Sequence, residues 1–291
     1  MTLLRGIAQL AFSDSARGGV LLLFGLFLVS PQAGAGALLG AGAATLVHRL
    51  LGAYGEEEWR LGLSGYNGAV MGILWSGLMA GPHRGLSLLF PLSLFACFLF
   101  EFLLRKLSQR VLLPILTLPA VLAGWLTAVV FSRFGMDFWQ AGAPAVADDA
   151  QVFLGVLLIA ATLFLTDVAA SIQAVLLSLA AALFGRWFYG LDMIALSGLW
   201  GYTVAAASFG AQAVFFRGAT SASMAGLVAA AIGGAAWMIW MASPFLRTLP
   251  PLLFPFILGV WSVLLLARKV DLAVLYPHPR RLMGIGQNRG R

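Results

Sequence analysis

Asn67 stands in the middle of an otherwise apolar phrase, GLSGYNGAVMG at 62–72, and the phrase returns as GLWGYTVAAAS at 198–208 with Thr203 in the asparagine's place. Prolines at 119 and 255 interrupt the fifth apolar stretch of each half of the chain at matched positions. A side-chain amide and the backbone carbonyls that a proline releases are hydrogen-bond acceptors, and they act strongly where the dielectric is low. A row of such acceptors along one axis has the chemistry to recognise the N–H groups of a small neutral solute. It has none of the chemistry needed to break a bond.

Other patterns that carry chemistry are missing. There is no GxSxG or HExxH phrase, and Gly185, Gly190, Gly198 and Gly201 are not spaced as a phosphate loop. His48, His83 and His278 are too scattered to hold a metal, so no metal and no cofactor is expected and the chain does not read as an enzyme. Ionisable groups are nearly absent from the middle of the apolar stretches, which argues against ion- or proton-coupled pumping. The exception, Glu101, is expected to pair with Arg105 one turn on. Asp167 reads as a turn residue, Asp192 as a candidate vestibule residue, and Cys97 as packing.

The elements that must position these groups are membrane helices. Of 291 residues 61% are hydrophobic and 10% charged, and the mean hydropathy is +0.94, well outside the range of soluble domains. Glycines at 62, 65, 68 and 72 let helix backbones approach closely, as small residues do inside membranes. Spans are expected near Gly19 to Val29, Gly34 to Leu51, Gly65 to Met79, Leu86 to Leu104 and Val111 to Phe131. In the second half they fall near Phe153 to Leu165, Ala169 to Phe184, Gly198 to Phe215, Ser223 to Ala242 and Leu249 to Ala267. Leu3 to Phe12 and the stretch before Ser30-Pro31 are too short to cross alone, and predict a broken or re-entrant element lined by protein or a wet cavity. No removable signal peptide is apparent, so Met1 is read as the mature start.

Sliding the sequence by 136 residues lays Gly62, Leu63, Gly65, Tyr66 and Ala69 on Gly198, Leu199, Gly201, Tyr202 and Ala205, and Pro114, Pro119 and Trp125 on Pro250, Pro255 and Trp261. One offset serving motifs so far apart is the mark of internal duplication. An odd number of crossings per copy, about five, reverses the topology of the second copy. The fold class expected is therefore an all-α integral membrane protein. It has two inverted-topology repeats of about five transmembrane helices each, plus a re-entrant or broken pore helix per half. Residues 1–131 form the first repeat, 132–150 an extracytoplasmic linker, 151–267 the second repeat and 268–291 a basic tail. The formal charge of +7 is concentrated at Arg105, Lys106 and Arg110 and after the last span, which by the positive-inside rule puts both termini in the cytoplasm and makes a nucleic-acid partner unnecessary.

The phrases GIAQLAF at 6–12, GLSGYNGAVMG at 62–72 and LTLPAVLAGW at 116–125, with GLWGY at 198–202 and LLFPFILGVW at 252–261, together resemble the urea transporter family from about Arg5 to Ala267. The resemblance implies a plasma-membrane channel, in a bacterium the inner membrane. It implies a homotrimer with one pore per subunit, passing urea down its gradient through a slot with flat walls and an oxygen ladder. Carried over by position, Gln9 and Phe12 sit at one pore entrance and Tyr66 is a slot wall. Val70 is a mid-pore aliphatic residue, Thr117 a ladder hydroxyl, and Asn67 a support of the pore backbone beside Pro119. In the second half Tyr202, Ala206 and Leu253 take the places of Tyr66, Val70 and Thr117, with Thr203 and Pro255 as support. There the ladder hydroxyl and the bulky constriction are replaced, which leaves room for a different small amide as solute. It leaves room also for a non-conducting scaffold or enzyme on the same fold.

Overall fold

Ser30 and Pro31 show how local sequence sets the helix boundaries. In the computed structural model Ser30 Oγ accepts from the Ala33 amide at 3.3 Å, and Pro31 opens the helix that follows, where its missing N–H would have had no partner. That helix ends on Gly52 in the left-handed conformation (φ 59°). Asp167 caps a helix in the same way in the second half, its Oδ1 accepting from the Ala170 amide at 2.9 Å, as the turn reading expects. The structure describes residues 1–52, 54–80, 89–111, 113–133, 149–189, 194–216 and 219–269. His83, His278, Asp192, the interior of the 132–150 linker and the tail arginines from 280 onward lie outside them.

Every described helix or turn belongs to one of two compact units. The first holds α1 (Thr2–Ala8) with a 3-10 turn at Gln9–Ala11, α2 (Ala16–Val29), α3 (Pro31–Leu51), α4 (Glu56–Leu61), α5 (Leu63–Ala80), α6 (Phe90–Val111), α7 (Leu118–Arg133) and α8 (Asp149–Thr166). The second holds α9 (Val168–Tyr189), α10 (Ile194–Phe209) running into a π-helical turn at Gly210–Phe215, α11 (Ala219–Ala242), a 3-10 turn at Leu246–Thr248 and α12 (Phe254–Lys269). α8 packs with the first unit: a side chain at Gly25 would stand 2.8 Å from the Gly155 carbonyl oxygen, so the α2 and α8 backbones touch there.

Helix bounds repeat at the sequence offset. Leu118–Arg133 and Phe254–Lys269 are both 16 residues long and lie 136 positions apart at either end. At about 1.5 Å per residue such a helix is about 24 Å long, short of the roughly 30 Å of hydrocarbon. The expected fifth spans, Val111 to Phe131 and Leu249 to Ala267, are thus each a non-helical segment followed by a short helix. Three described helices are long and apolar enough to cross a membrane alone, Pro31–Leu51, Val168–Trp187 and Thr220–Ala242. Thr2–Ala11 and Ala16–Val29 are apolar enough together to form one further broken span or a re-entrant loop, bent by 69° at a break that includes the left-handed Phe12 (φ 54°). This bend is the broken element anticipated around Gln9.

The glycines of the repeated phrase work as expected. Gly68 and Gly72 of α5 lie against Gly40 and Gly36 of α3 so closely that a side-chain carbon at any of the four would fall onto the facing carbonyl oxygen. Gly65 faces Thr45, Ala41 and Gly6, while Gly62 (φ 82°) makes the turn into α5. Beyond this seam, Trp75 packs on Phe90 and Phe131, locking α5 to α6 and α7.

Candidate functional site

Each unit has its own candidate position, at the start of α7 in the first and of α12 in the second. Leu116 (φ 51°) and Leu252 (φ 48°) are left-handed, an uncommon state for a residue with a side chain, costing about 1–3 kcal/mol and concentrated at functional sites. Each is followed by the same hydrogen bonds: Leu118 N–H to Ile115 O at 3.2 Å and Val121 N–H to Thr117 O at 3.0 Å, then Phe254 N–H to Pro251 O at 3.0 Å and Ile257 N–H to Leu253 O at 3.2 Å. Pro119 and Pro255 therefore occupy the first turn of a helix. They do not kink a helix interior and release no carbonyl there, contrary to the expectation from sequence. The break precedes them, and their effect is to withhold an N–H.

That withheld donor matters for Thr117. It stands at the N-cap of α7, where a threonine hydroxyl ordinarily accepts from the second or third amide of the helix. The second residue is Pro119, which has no N–H, so the third amide, that of Ala120, is the one left to serve, and no hydrogen bond from it reaches Oγ1. Thr117 is 1% exposed, and its Oγ1 has no hydrogen-bond partner. An acceptor has been buried and left open. Asn67 Oδ1, on α5, is likewise buried without a partner. Leu253, at the same place before α12, is half-buried and has no acceptor to offer.

Gln9 is placed by a hydrogen bond of its own: Nε2 donates to the Leu61 carbonyl at 3.0 Å, docking the 3-10 turn on the joint between α4 and α5 and committing the donor side of the amide. Phe12 forms the bend just beyond. Tyr66 and Val70 lie one turn apart on α5, Tyr66 half-buried and Val70 buried, with Asn67 beside them. α5 packs on α7 through Trp75 and Phe131, so the first unit brings Gln9, Tyr66, Val70 and Thr117 onto neighbouring elements. In the second unit Thr203 and Ala206 are buried on α10, Tyr202 is 48% exposed, and Leu253 and Pro255 head α12.

Two features are not visible in the sequence. Glu101 stays within electrostatic reach of Arg105, but each also has a partner on another helix. Its carboxylate lies 3.8 Å from His48 Nε2, while Arg105 Nη2 donates to both carboxylate oxygens of Glu58 at 2.7 and 2.6 Å. Both new partners are far away in sequence, so no local spacing announces them. The second feature is the π-helical turn that follows the altered phrase, with Gln212 buried in it and its Oε1 unpartnered. Such turns gather at functional sites; the equivalent stretch of α5 is regular α-helix. Among the described residues no group of histidine, cysteine and carboxylate side chains could hold a metal ion.

No curated protein matches this chain. A family model described as urea transporter matches residues 1–152, more than half of the chain, and those residues hold α1 to α7, Gln9, Tyr66, Asn67 and Thr117. A helical, strongly apolar protein fits a family of transporters. The chain belongs to the urea transporter family.

Proposed function

We propose that the protein is a passive channel for urea. The observation that carries this reading is the Thr117 hydroxyl, buried just before the first residue of α7 and unpartnered. Urea is planar, with four N–H donors and a carbonyl. Stripping water from such polar groups costs several kcal/mol unless new acceptors take over. Thr117 Oγ1 and the oxygen of Gln9, whose amide nitrogen is already committed, are such acceptors. Tyr66 and Val70 supply flat and aliphatic walls, and Phe12 stands at the entrance. Tyr202, Ala206 and Leu253 are proposed as the corresponding positions of the second half, with Asn67, Pro119, Thr203 and Pro255 as backbone support. On this reading each half contributes about five crossings with reversed topology in the second, both termini are cytoplasmic, and the protein is a homotrimer in a bacterial inner membrane.

Stopped-flow light scattering of proteoliposomes tests the proposal. Urea is expected to equilibrate at least tenfold faster, on the order of the gain from one matched acceptor, than in protein-free vesicles. It should do so without dependence on a proton or sodium gradient. Equal rates with and without protein would overturn it. Leu253 and Ala206 favour a second reading in which the solute is a larger, greasier amide; faster entry of acetamide or methylurea than of urea in the same vesicles would select that reading.

A further inference from the structure

Three side chains hold three carbonyls at the joint between α4 and α5. Arg5 Nη1 donates to Arg60 O at 2.7 Å, Gln9 Nε2 to Leu61 O at 3.0 Å, and His48 Nδ1 stands 2.7 Å from Ser64 O. A carbonyl oxygen only accepts, so His48 Nδ1 carries the hydrogen and Nε2 faces the Glu101 carboxyl at 3.8 Å. His48 is 5% exposed and Glu101 3%. The surroundings are otherwise matched: the Arg105 guanidinium is chelated by Glu58 and lies over the Tyr54 ring at 3.8 Å, and the Tyr54 and Phe98 rings meet the imidazole edge-on.

The second half supplies an internal control. At the offset of 136, His48, Ser64 and Glu101 become Phe184, Trp200 and Trp237. Phe184 and Trp200 meet edge-on with ring centroids 5.7 Å apart, and Trp200 and Trp237 share one apolar cluster with Val204. The same junction is therefore built from aromatic packing in one half and from a buried imidazole and carboxyl in the other. Cohesion alone is served by the rings, whereas burying two ionisable groups in a membrane protein carries a desolvation cost that marks function.

We infer that His48, oriented by Glu101, is a positioning residue for the solute path. By holding the Ser64 carbonyl it fixes the rotation of the first turns of α5, and with them Tyr66 and Val70, and so sets how wide a solute is admitted. The inference rests on the urea-channel reading for its flux readout, and has a second readout that does not.

The experiment compares wild type, His48→Phe, His48→Asn and Glu101→Gln in proteoliposomes, with urea and N,N′-dimethylurea as solutes, and follows amide hydrogen exchange over residues 62–72 in the same proteins. His48→Phe, which copies Phe184, is expected to lower the urea-to-dimethylurea flux ratio about fivefold and to speed exchange in the first turns of α5. His48→Asn keeps a donor near the position of Nδ1 and restores most of the ratio. A folded His48→Phe protein with wild-type ratio and exchange overturns the inference, and so does a His48→Asn protein as impaired as His48→Phe. Should His48→Phe fail to fold, Glu101→Gln decides: a lowered ratio upholds the inference and a wild-type ratio overturns it. If wild type passes neither solute, the channel reading fails by itself, and exchange over 62–72 still decides whether His48 positions α5.

Discussion

Thr117→Val slows urea entry into proteoliposomes about tenfold while leaving the protein's thermal stability unchanged or slightly raised. The two halves of this expectation share one cause. Valine has the shape of threonine without the hydroxyl, and Thr117 Oγ1 makes no hydrogen bond within the protein, so its removal breaks nothing in the fold. Deleting a buried, unsatisfied polar atom relieves a desolvation cost of about 1–3 kcal/mol, and the same atom, when it accepts from a solute N–H, is worth about that much to the solute. One such hydrogen bond at a constriction is about a factor of ten in rate. Leu253→Thr, the reciprocal change before α12, is expected to speed urea and to slow methylurea. Flux and melting temperature measured on the same preparations check the prediction. A stability loss in Thr117→Val comparable to that of a broken helix cap would mean that the hydroxyl caps α7 after all. Unchanged flux would mean that the solute passes elsewhere.

Gly72→Val, at the seam of α3 and α5, gives little or no monodisperse protein. The first side-chain carbon at this position would fall on the carbonyl oxygen and carbon of Gly36, which are backbone atoms and cannot rotate aside. The helices must separate along the whole Gly36–Gly72 and Gly40–Gly68 contact. Overpacking of this kind typically costs about 1–3 kcal/mol and more where backbone must move, enough to consume much of a protein's net stability. Gly52→Ala is the matched comparison. Nothing lies within 4 Å of its added carbon, and only the left-handed backbone (φ 59°) resists the change, at about 1–2 kcal/mol. Size-exclusion profiles and thermal melts in detergent should rank wild type, Gly52→Ala and Gly72→Val in that order. A well-behaved Gly72→Val protein would show that the seam is looser than its geometry.

What the sequence discloses and what it withholds divide along physical lines. Periodic glycines and one constant offset are backbone properties repeated over many residues, and they lead to the α3–α5 seam and to the matched starts of α7 and α12. The matched prolines mark the right places but not the right function, because a proline inside a span and a proline in the first turn of a shorter helix look alike until the boundary is known. Helical spacing pairs Glu101 with the nearest arginine, whose charge does reach it, but reveals only neighbours one turn away, whereas His48, 3.8 Å off, comes from another helix. The π-helical turn has no compositional mark, since one extra residue per turn leaves the apolar pattern of Gly210–Phe215 intact. Resemblance singles out Thr117, but that its oxygen stands open depends on where α7 starts and on which of the first amides the hydroxyl reaches, a fact of geometry.

The left-handed leucines at 116 and 252 invert the usual ranking of conservative replacements. Isoleucine and valine, closest to leucine in bulk, are branched next to the backbone and are the residues least able to hold that conformation, while glycine and asparagine adopt it readily. At these two sites shape is inherited through the main chain, and evolutionary drift would run toward residues that look radical on a substitution table.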